Sequence, residues 1–220
     1  DLRRLLEPIM IATTPVSPTV RMNPYAESNA VTHDEALAAS LAYFHGDELA
    51  ASTWVNKYAL RDGTGRLVER TPADMHRRMA REFARIERGY SPIPAERAAL
   101  LSARGRARRP LDEERIFDLF DGFRDVVPQG SVMASLGDPY RLASLSNCVV
   151  IPSPLDSYGG IFRDDQQLAQ LFKRRCGVGF DLSTLRPEGA HVSNAARTST
   201  GAVSFMERFS NTTREVAQKG

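Results

Sequence analysis

The chain has few cysteines and no long apolar run. Of its 220 residues only two are cysteine, Cys148 and Cys176, which excludes a disulfide-stapled scaffold. No apolar stretch is long enough to span a bilayer. The opening Asp1-Leu2-Arg3-Arg4-Leu5-Leu6-Glu7-Pro8 puts charges and a proline where a signal peptide needs an unbroken apolar core. With no membrane segment and no disulfide scaffold, a cytoplasmic setting is expected. Charge of one sign is scarce too. The 29 basic and 27 acidic residues leave a formal charge of +2, too small to argue for a nucleic-acid or membrane partner. The four histidines (His33, His45, His76 and His191) are scattered without metal-ligand spacing, so no metal site is expected. There is no initiator Met, which implies a processed or truncated start.

What is present is ordinary globular composition, 42% hydrophobic and 25% charged. Residues 1–31 carry no periodicity and read as an extended arm. Thr32-His33-Asp34-Glu35 has capping-box spacing, predicting a helix to Gly46 with Ala36, Leu37, Leu41 and Phe44 inward. A second helix is predicted over Glu48–Tyr58, then a turn at 61–65. Thr71, Pro72 and Asp74 form a strong start signal, and Met75, Met79, Phe83 and Ile86 repeat at helical spacing to Arg88. Residues 90–110 read as a loop with some helix, and Asp112–Phe123 as a helix with Ile116, Leu119, Phe120 and Phe123 on one face.

The pattern changes at Val126-Val127-Pro128-Gln129-Gly130-Ser131. A buried strand is predicted over Leu145–Ile151, a helix over Asp156–Arg175, a strand over Gly177–Leu182, a polar loop over Arg186–Thr198, and a helix from Thr200 to about Val216. Such alternation implies parallel strands of an α/β sheet or barrel. The predicted fold is therefore α/β overall, with a helical N-terminal domain (1–126) followed by the opening of an α/β domain (127–220). Two strands cannot make a free-standing α/β core, so the second domain reads as unfinished.

Several residues could carry chemistry. Cys148 is either a small hydrophobe in a buried strand or a thiol that ends in a disulfide; the latter needs a second thiol within bridging distance, for which Cys176 is one option. Asp156-Ser157 opens a helix, so it caps; a helix N-terminus also attracts phosphate. Cys176-Gly177-Val178-Gly179 either marks a turn or lets a ligand approach the backbone. Arg186, stiffened by Pro187, is surface or a phosphate clamp. The four arginines between Arg104 and Arg109 read as a solvated loop, with nucleic-acid binding as the weaker reading.

Taken together, these segments resemble the large subunit of ribonucleotide reductases. The resemblance is carried by Leu145-Ser146-Asn147-Cys148-Val149-Val150-Ile151-Pro152, Asp156-Ser157-Tyr158-Gly159-Gly160-Ile161-Phe162, Arg175-Cys176-Gly177-Val178-Gly179-Phe180, Leu185-Arg186-Pro187-Glu188-Gly189, and the run from Ser199 to Met206 and from Thr213 to Gly220. A looser likeness covers Lys57–Asp62, Thr71–Arg78 and Glu82–Ile86.

The resemblance implies a ten-stranded α/β barrel, of which this chain holds the first strand–helix units, and reduction of ribonucleotides, as diphosphates, at the ribose 2′ position by a thiyl radical. It implies that Cys148 is one of two thiols that become a disulfide, its partner lying beyond Gly220. Ser131, Asn147, Cys176 and Gly177 would line the substrate site. Asp156, Ser157 and Arg186 would bind a nucleoside triphosphate allosteric effector. Implied partners are a thioredoxin-like reductant and a second copy in a homodimer, formed by the helices after Asp156 and Thr200. The radical source is expected to be adenosylcobalamin, with a metal-containing small radical subunit as the alternative. Three departures stand out, the foremost being that the cysteine expected to become the thiyl radical would lie beyond Gly220. Cys176 occupies a position where the family commonly has Gly or Ala, and Ser193 falls near a position that is often basic. The chain alone is expected to be an inactive fragment of such an enzyme. The alternative is a non-catalytic split subunit that binds effectors and assembles with a separate chain.

Overall fold

A computed structural model describes residues 30–90 and 95–216. The predicted arm falls almost wholly on residues 1–29, outside the described residues, as do the last four positions of the chain. The elements run α1 (His33–Tyr43), α2 (Glu48–Lys57), α3 (Pro72–Arg88), α4 (Ala95–Leu100), α5 (Ala103–Ala107), α6 (Glu113–Phe120), a 3-10 turn (Asp121–Phe123), α7 (Gly130–Ser135), β1 (Cys148–Val150), α8 (Tyr158–Phe172), β2 (Gly177–Gly179) and α9 (Gly201–Val216).

Local signals account for the helix starts. At α1 the Thr32 hydroxyl accepts from the Glu35 N–H (3.2 Å), and the Glu35 carboxylate accepts from the Thr32 N–H (2.9 Å). Asp47 and Asp112 cap α2 and α6 through the N–H groups of Ala50 and Arg115. At α3 Pro72 takes the first turn, where its missing N–H costs nothing, and Asp74 accepts from the N–H groups of Arg70 and Thr71. α1 ends at Tyr43, and the turn beyond it passes through Gly46, whose φ of +94° suits only glycine well.

The four longer N-terminal helices close around one core. Ala36, Trp54, Val55, Met75, Met79, Ile116 and Phe120 are buried together, and the Trp54 indole N–H points at the Met75 sulfur (3.4 Å). The sequence reading placed Phe83, Ile86 and Leu119 on inward faces, but each stays more than a third exposed. Phe83 and Leu119 line an open apolar groove with Val126, Pro128 and Val132, so their stripe continues past the point where the core ends. α6 stops at Phe120, earlier than expected, because Asp121 is extended and Gly122 turns with φ +68°. The short helix α7 was not anticipated. Its Val132, Met133 and following Leu136 pack on the helical core.

Beyond α7, β1 and β2 pair in parallel, with α8 as the crossover. α8 and α9 pack against each other over Ile161, Leu168, Leu185 and Phe209. This is a two-stranded, unclosed parallel sheet with helices beside it, as the predicted unfinished α/β opening requires. The strand around Cys148 was expected to be buried; it is not. Cys148 is exposed and Val150 is 86% exposed, because no further strand or layer covers β1 among the described residues. Both strands are shorter than predicted, three residues each, for the same reason. No helix is long and apolar enough to cross a membrane among the described residues.

Candidate active and effector sites

The parallel register sets Cys148 opposite Gly177, Val149 opposite Val178, and Val150 opposite Gly179. Glycine opposite the cysteine leaves room for the thiol. A Cβ on Gly177 would stand 3.1 Å from the Cys148 Sγ and 3.4 Å from the Asn147 carbonyl. The Gly177 N–H donates to that same carbonyl (2.7 Å). Asn147 also reaches across to α7, where its side-chain oxygen accepts from the Ser131 backbone N–H (2.7 Å). The buried Ser131 hydroxyl donates to the Arg175 carbonyl (3.4 Å). Ser131, Asn147, Cys148 and Gly177 thus form one patch, tied by hydrogen bonds across three chain segments, with an exposed thiol on it. Cys176 is adjacent in sequence, but its side chain is fully buried and donates to the Gly177 carbonyl (3.5 Å). Both cysteines are free thiols.

The α7 helix that carries Ser131 is held from behind by a charge pair absent from the sequence reading. Arg78 and Glu69 lie almost fully buried and meet at 2.7 Å. Glu69 also accepts the Leu60 N–H (2.8 Å). The Arg78 guanidinium donates to the carbonyls of Leu136 and Met133 (2.8 Å for the latter), at the C-terminal end of α7. Burial pushes the Glu69 carboxyl up from its ordinary range, and the Arg78 charge opposes that push. The sequence held one signal: Arg78 interrupts the apolar face of α3 beside Met75 and Met79, where a charge requires a partner.

A second site gathers at the start of α8. The Arg186 guanidinium pairs with Asp156 (2.7 Å), and the Arg186 N–H bonds the same carboxylate (3.3 Å). This pairing holds the Asp156 carboxyl below the usual carboxylate range. Arg186 also donates to the His191 carbonyl (3.4 Å). Ser157, not Asp156, is the N-cap of α8; its hydroxyl accepts the Gly160 N–H (3.1 Å). Gly160 must lack a Cβ, which would fall 2.5 Å from the Leu155 carbonyl oxygen. These groups border a cavity of about 220 Å³, closed on its other side by Ser193, Asn194, Thr198 and Ser199. All three predicted effector residues line it. Of the facing loop, the sequence singles out Ser193 alone, as a departure from the family pattern; Asn194, Thr198 and Ser199 are not assigned to the effector there, because their approach depends on the His191–Thr198 bridge.

Next to this cavity, α8 and α9 expose Tyr158, Phe162, Val203 and Met206 to solvent. Beneath them the Thr212 hydroxyl donates to Asp165 (2.5 Å), which also pairs with Arg208 (2.8 Å). No group of three or more metal-ligating side chains occurs among the described residues.

Comparison with known proteins gives two adjoining family matches. Residues 44–141 match the model described as "Ribonucleotide reductase, all-alpha domain", and residues 146–220 match "Ribonucleotide reductase, barrel domain". Among curated relatives, the chain is 28% identical over 204 residues to the vitamin B12-dependent ribonucleoside-diphosphate reductase of Thermoplasma acidophilum, covering 74% of this chain and 26% of that protein. It is 30% identical over 173 residues to the protein of the same name from Mycobacterium tuberculosis, covering 78% and 22%. A ribonucleoside-diphosphate reductase large chain of Saccharomyces cerevisiae is 32% identical over 76 residues, covering 34% and 9%. The chain therefore spans about a quarter of the length of the first two.

Proposed function

The chain belongs to the ribonucleotide reductase large-subunit family, and from that premise we propose that it forms part of an enzyme reducing ribonucleoside diphosphates to deoxyribonucleotides. One observation carries the reading: an exposed thiol, Cys148, seated against Gly177 and flanked by Asn147 and Ser131. In this reading the ribose 2′ hydroxyl leaves as water, and two thiols supply the two electrons by closing to a disulfide. A thioredoxin-like dithiol then reopens that disulfide. Cys148 is one of the two thiols. Its open face leaves room for a substrate and for a second sulfur to approach. Ser131, Asn147 and the backbone around Gly177 border the ribose, while Cys176 is a small buried side chain that fills space under β2. The steps that need a radical lie outside these residues.

Asp156, Ser157 and Arg186 bind the triphosphate effector in the cavity at the head of α8, and the exposed face of α8 and α9 meets a second copy. The residue 126/127 division remains our reading of the domain boundary. Adenosylcobalamin is supported by the names of two relatives; when bound, it would supply the radical. The cavities at Asp156 and behind Tyr58 are small or cationic, and neither has the wide apolar face a corrin ring requires.

The test is Cys148→Ser in the full-length protein. Steady-state turnover with a dithiol reductant is expected to be abolished, while triphosphate binding is retained. Undiminished turnover would sink the assignment. A second reading, a non-catalytic effector-binding subunit, is favoured by the contrast between a cavity lined wholly by this chain and a thiol with no exposed partner. An intact mass near 24.4 kDa for the protein as its host makes it, together with effector binding, would select that reading.

A further inference from the structure

Beside the C-terminal end of α7, three separate stretches of chain converge on a crevice of about 830 Å³: the end of α2, the loop before β1 and the end of α8. Six cationic side chains line it: Lys57, Arg61, Arg141, Lys173, Arg174 and Arg175. Its one carboxylate is Asp138, which pairs with Arg141 (3.0 Å) and accepts the N–H groups of Tyr140 and Arg141. The other five cations have no carboxylate partner among the described residues. Arg61 donates to the Gly65 and Val55 carbonyls, Arg174 to Gln170, and Arg175 to the Lys57 carbonyl (3.0 Å).

Arg175 is the telling member. Its guanidinium is partly withdrawn from water, and burial pushes its pKa down. Its backbone has φ +68°, an uncommon conformation for a side-chain-bearing residue. Its guanidinium carbon lies 5.9 Å from the centre of the Tyr58 ring. A desolvated cation beside other cations is unfavourable unless an anion joins them. The bland explanation is that basic residues offset the partial negative charge at the ends of α2 and α8. Each helix end supplies only about half a charge, against five unpaired cations, so most of the positive charge remains uncompensated.

We infer that this crevice is an anion site for a small polyphosphate-bearing molecule, separate from the effector cavity and sharing no residue with it. Guanidinium groups present paired N–H donors that match phosphate oxygens bidentately. The volume falls in the range of small-molecule sites. The Tyr58 and Phe172 rings in its wall offer surfaces to a base, so the polyphosphate can be free or part of a nucleotide.

The experiment uses the protein purified as its host produces it, with inorganic tripolyphosphate as the calorimetric probe. One tripolyphosphate per chain is expected to bind in a way that weakens with salt. Lys57→Ala with Lys173→Ala should weaken it by roughly tenfold or more, the scale of lost charge-assisted contacts. The charge reversal Lys173→Glu, on an exposed helix end, is a second variant should the pair misfold. Arg186→Ala should leave this binding unchanged, which separates the site from the effector cavity. Tighter binding of a nucleoside triphosphate at the same Lys57- and Lys173-dependent site would identify a nucleotide as the source; equal binding would identify free polyphosphate. Absence of Lys57- and Lys173-dependent binding, as expected if an acidic polypeptide segment fills the crevice, overturns the inference. So does binding lost only in Arg186→Ala.

Discussion

The helical region and the barrel segment differ in how much of their own core they contain. Around α3, residues Ala36, Val55, Met75, Met79 and Ala80 reach complete burial, and helices cover them from several sides. In the barrel segment the cluster of Ile161, Leu168, Leu185 and Phe209 is thin, and β1 leaves Val150 open to solvent. A helix buries a stripe and can be satisfied by two or three neighbours. A parallel sheet must be covered on both faces, and a pair of strands has little area to bury. The candidate chemistry sits on the poorly covered side, at the edge of the well-packed one. The rigid element behind the cysteine patch is therefore the helical region, acting through Arg78 and α7.

Four predictions probe this contrast. The largest effect is expected from Arg78→Met or Glu69→Ala. Breaking a buried pair leaves an uncompensated charge and costs ~3–5 kcal/mol, read as a drop in denaturation midpoint. The Glu69→Ala/Arg78→Met double variant should recover part of the loss; strictly additive losses would mean that the two side chains do not act together.

Next, hydrogen exchange should separate the regions. Amides in the middle of α3 should open only with the whole unit, and those of Val149 and Val178 should exchange at least roughly a hundredfold faster through local opening. Equal protection would show that the two-stranded sheet is as well covered as the helices.

A third effect is pH-dependent. The His76 side chain is fully buried against Phe120 and Phe123. Burial pulls its pKa below the ordinary value, while nearby Asp121 partly opposes the shift and Arg78 adds to it. Tyr43 also faces it, with a hydroxyl pushed up to about 12 by burial, so it stays neutral throughout. Because the folded pKa is lowered, the stabilisation is complete above ~6.5. It is lost as pH falls below that value towards the folded pKa, by up to ~1.4 kcal/mol per pH unit. Thermal melts from pH 7.5 to 5 should show the loss in the parent and not in His76→Gln. A parallel decline in both would exonerate His76.

The smallest effect compares caps in the two regions. Thr32→Ala and Ser157→Ala should each cost ~1 kcal/mol locally. Thr32→Ala should lower the global midpoint, whereas Ser157→Ala should chiefly speed exchange at the start of α8. The reverse pattern would place the cooperative core in the barrel segment.

What could be read from the sequence follows the range of the interactions. The starts of α1, α2 and α3 were legible because caps and periodicity are local, within four residues. The parallel pairing was legible as a pattern, but the strand lengths were not, since they depend on neighbours distant in the chain. Pro128-Gln129-Gly130 read as a break, which hid the short helix that positions Ser131. Glu69 and Arg78 were missed because their partnership also needs Leu60, Met133 and Leu136, brought together only by folding. At the Asp156 cavity, motif wording singled out Asp156, Ser157 and Arg186 and marked Ser193 as a departure, whereas Asn194 and Thr198 reach it through a loop that carries no local pattern.

The most direct test of the account is to map the thiols of the full-length protein after one turnover with no reductant present. The account predicts Cys148 in a disulfide with a cysteine other than Cys176, while Cys176 remains a free thiol after denaturation. A Cys148 that stays free, or one joined to Cys176, would contradict it.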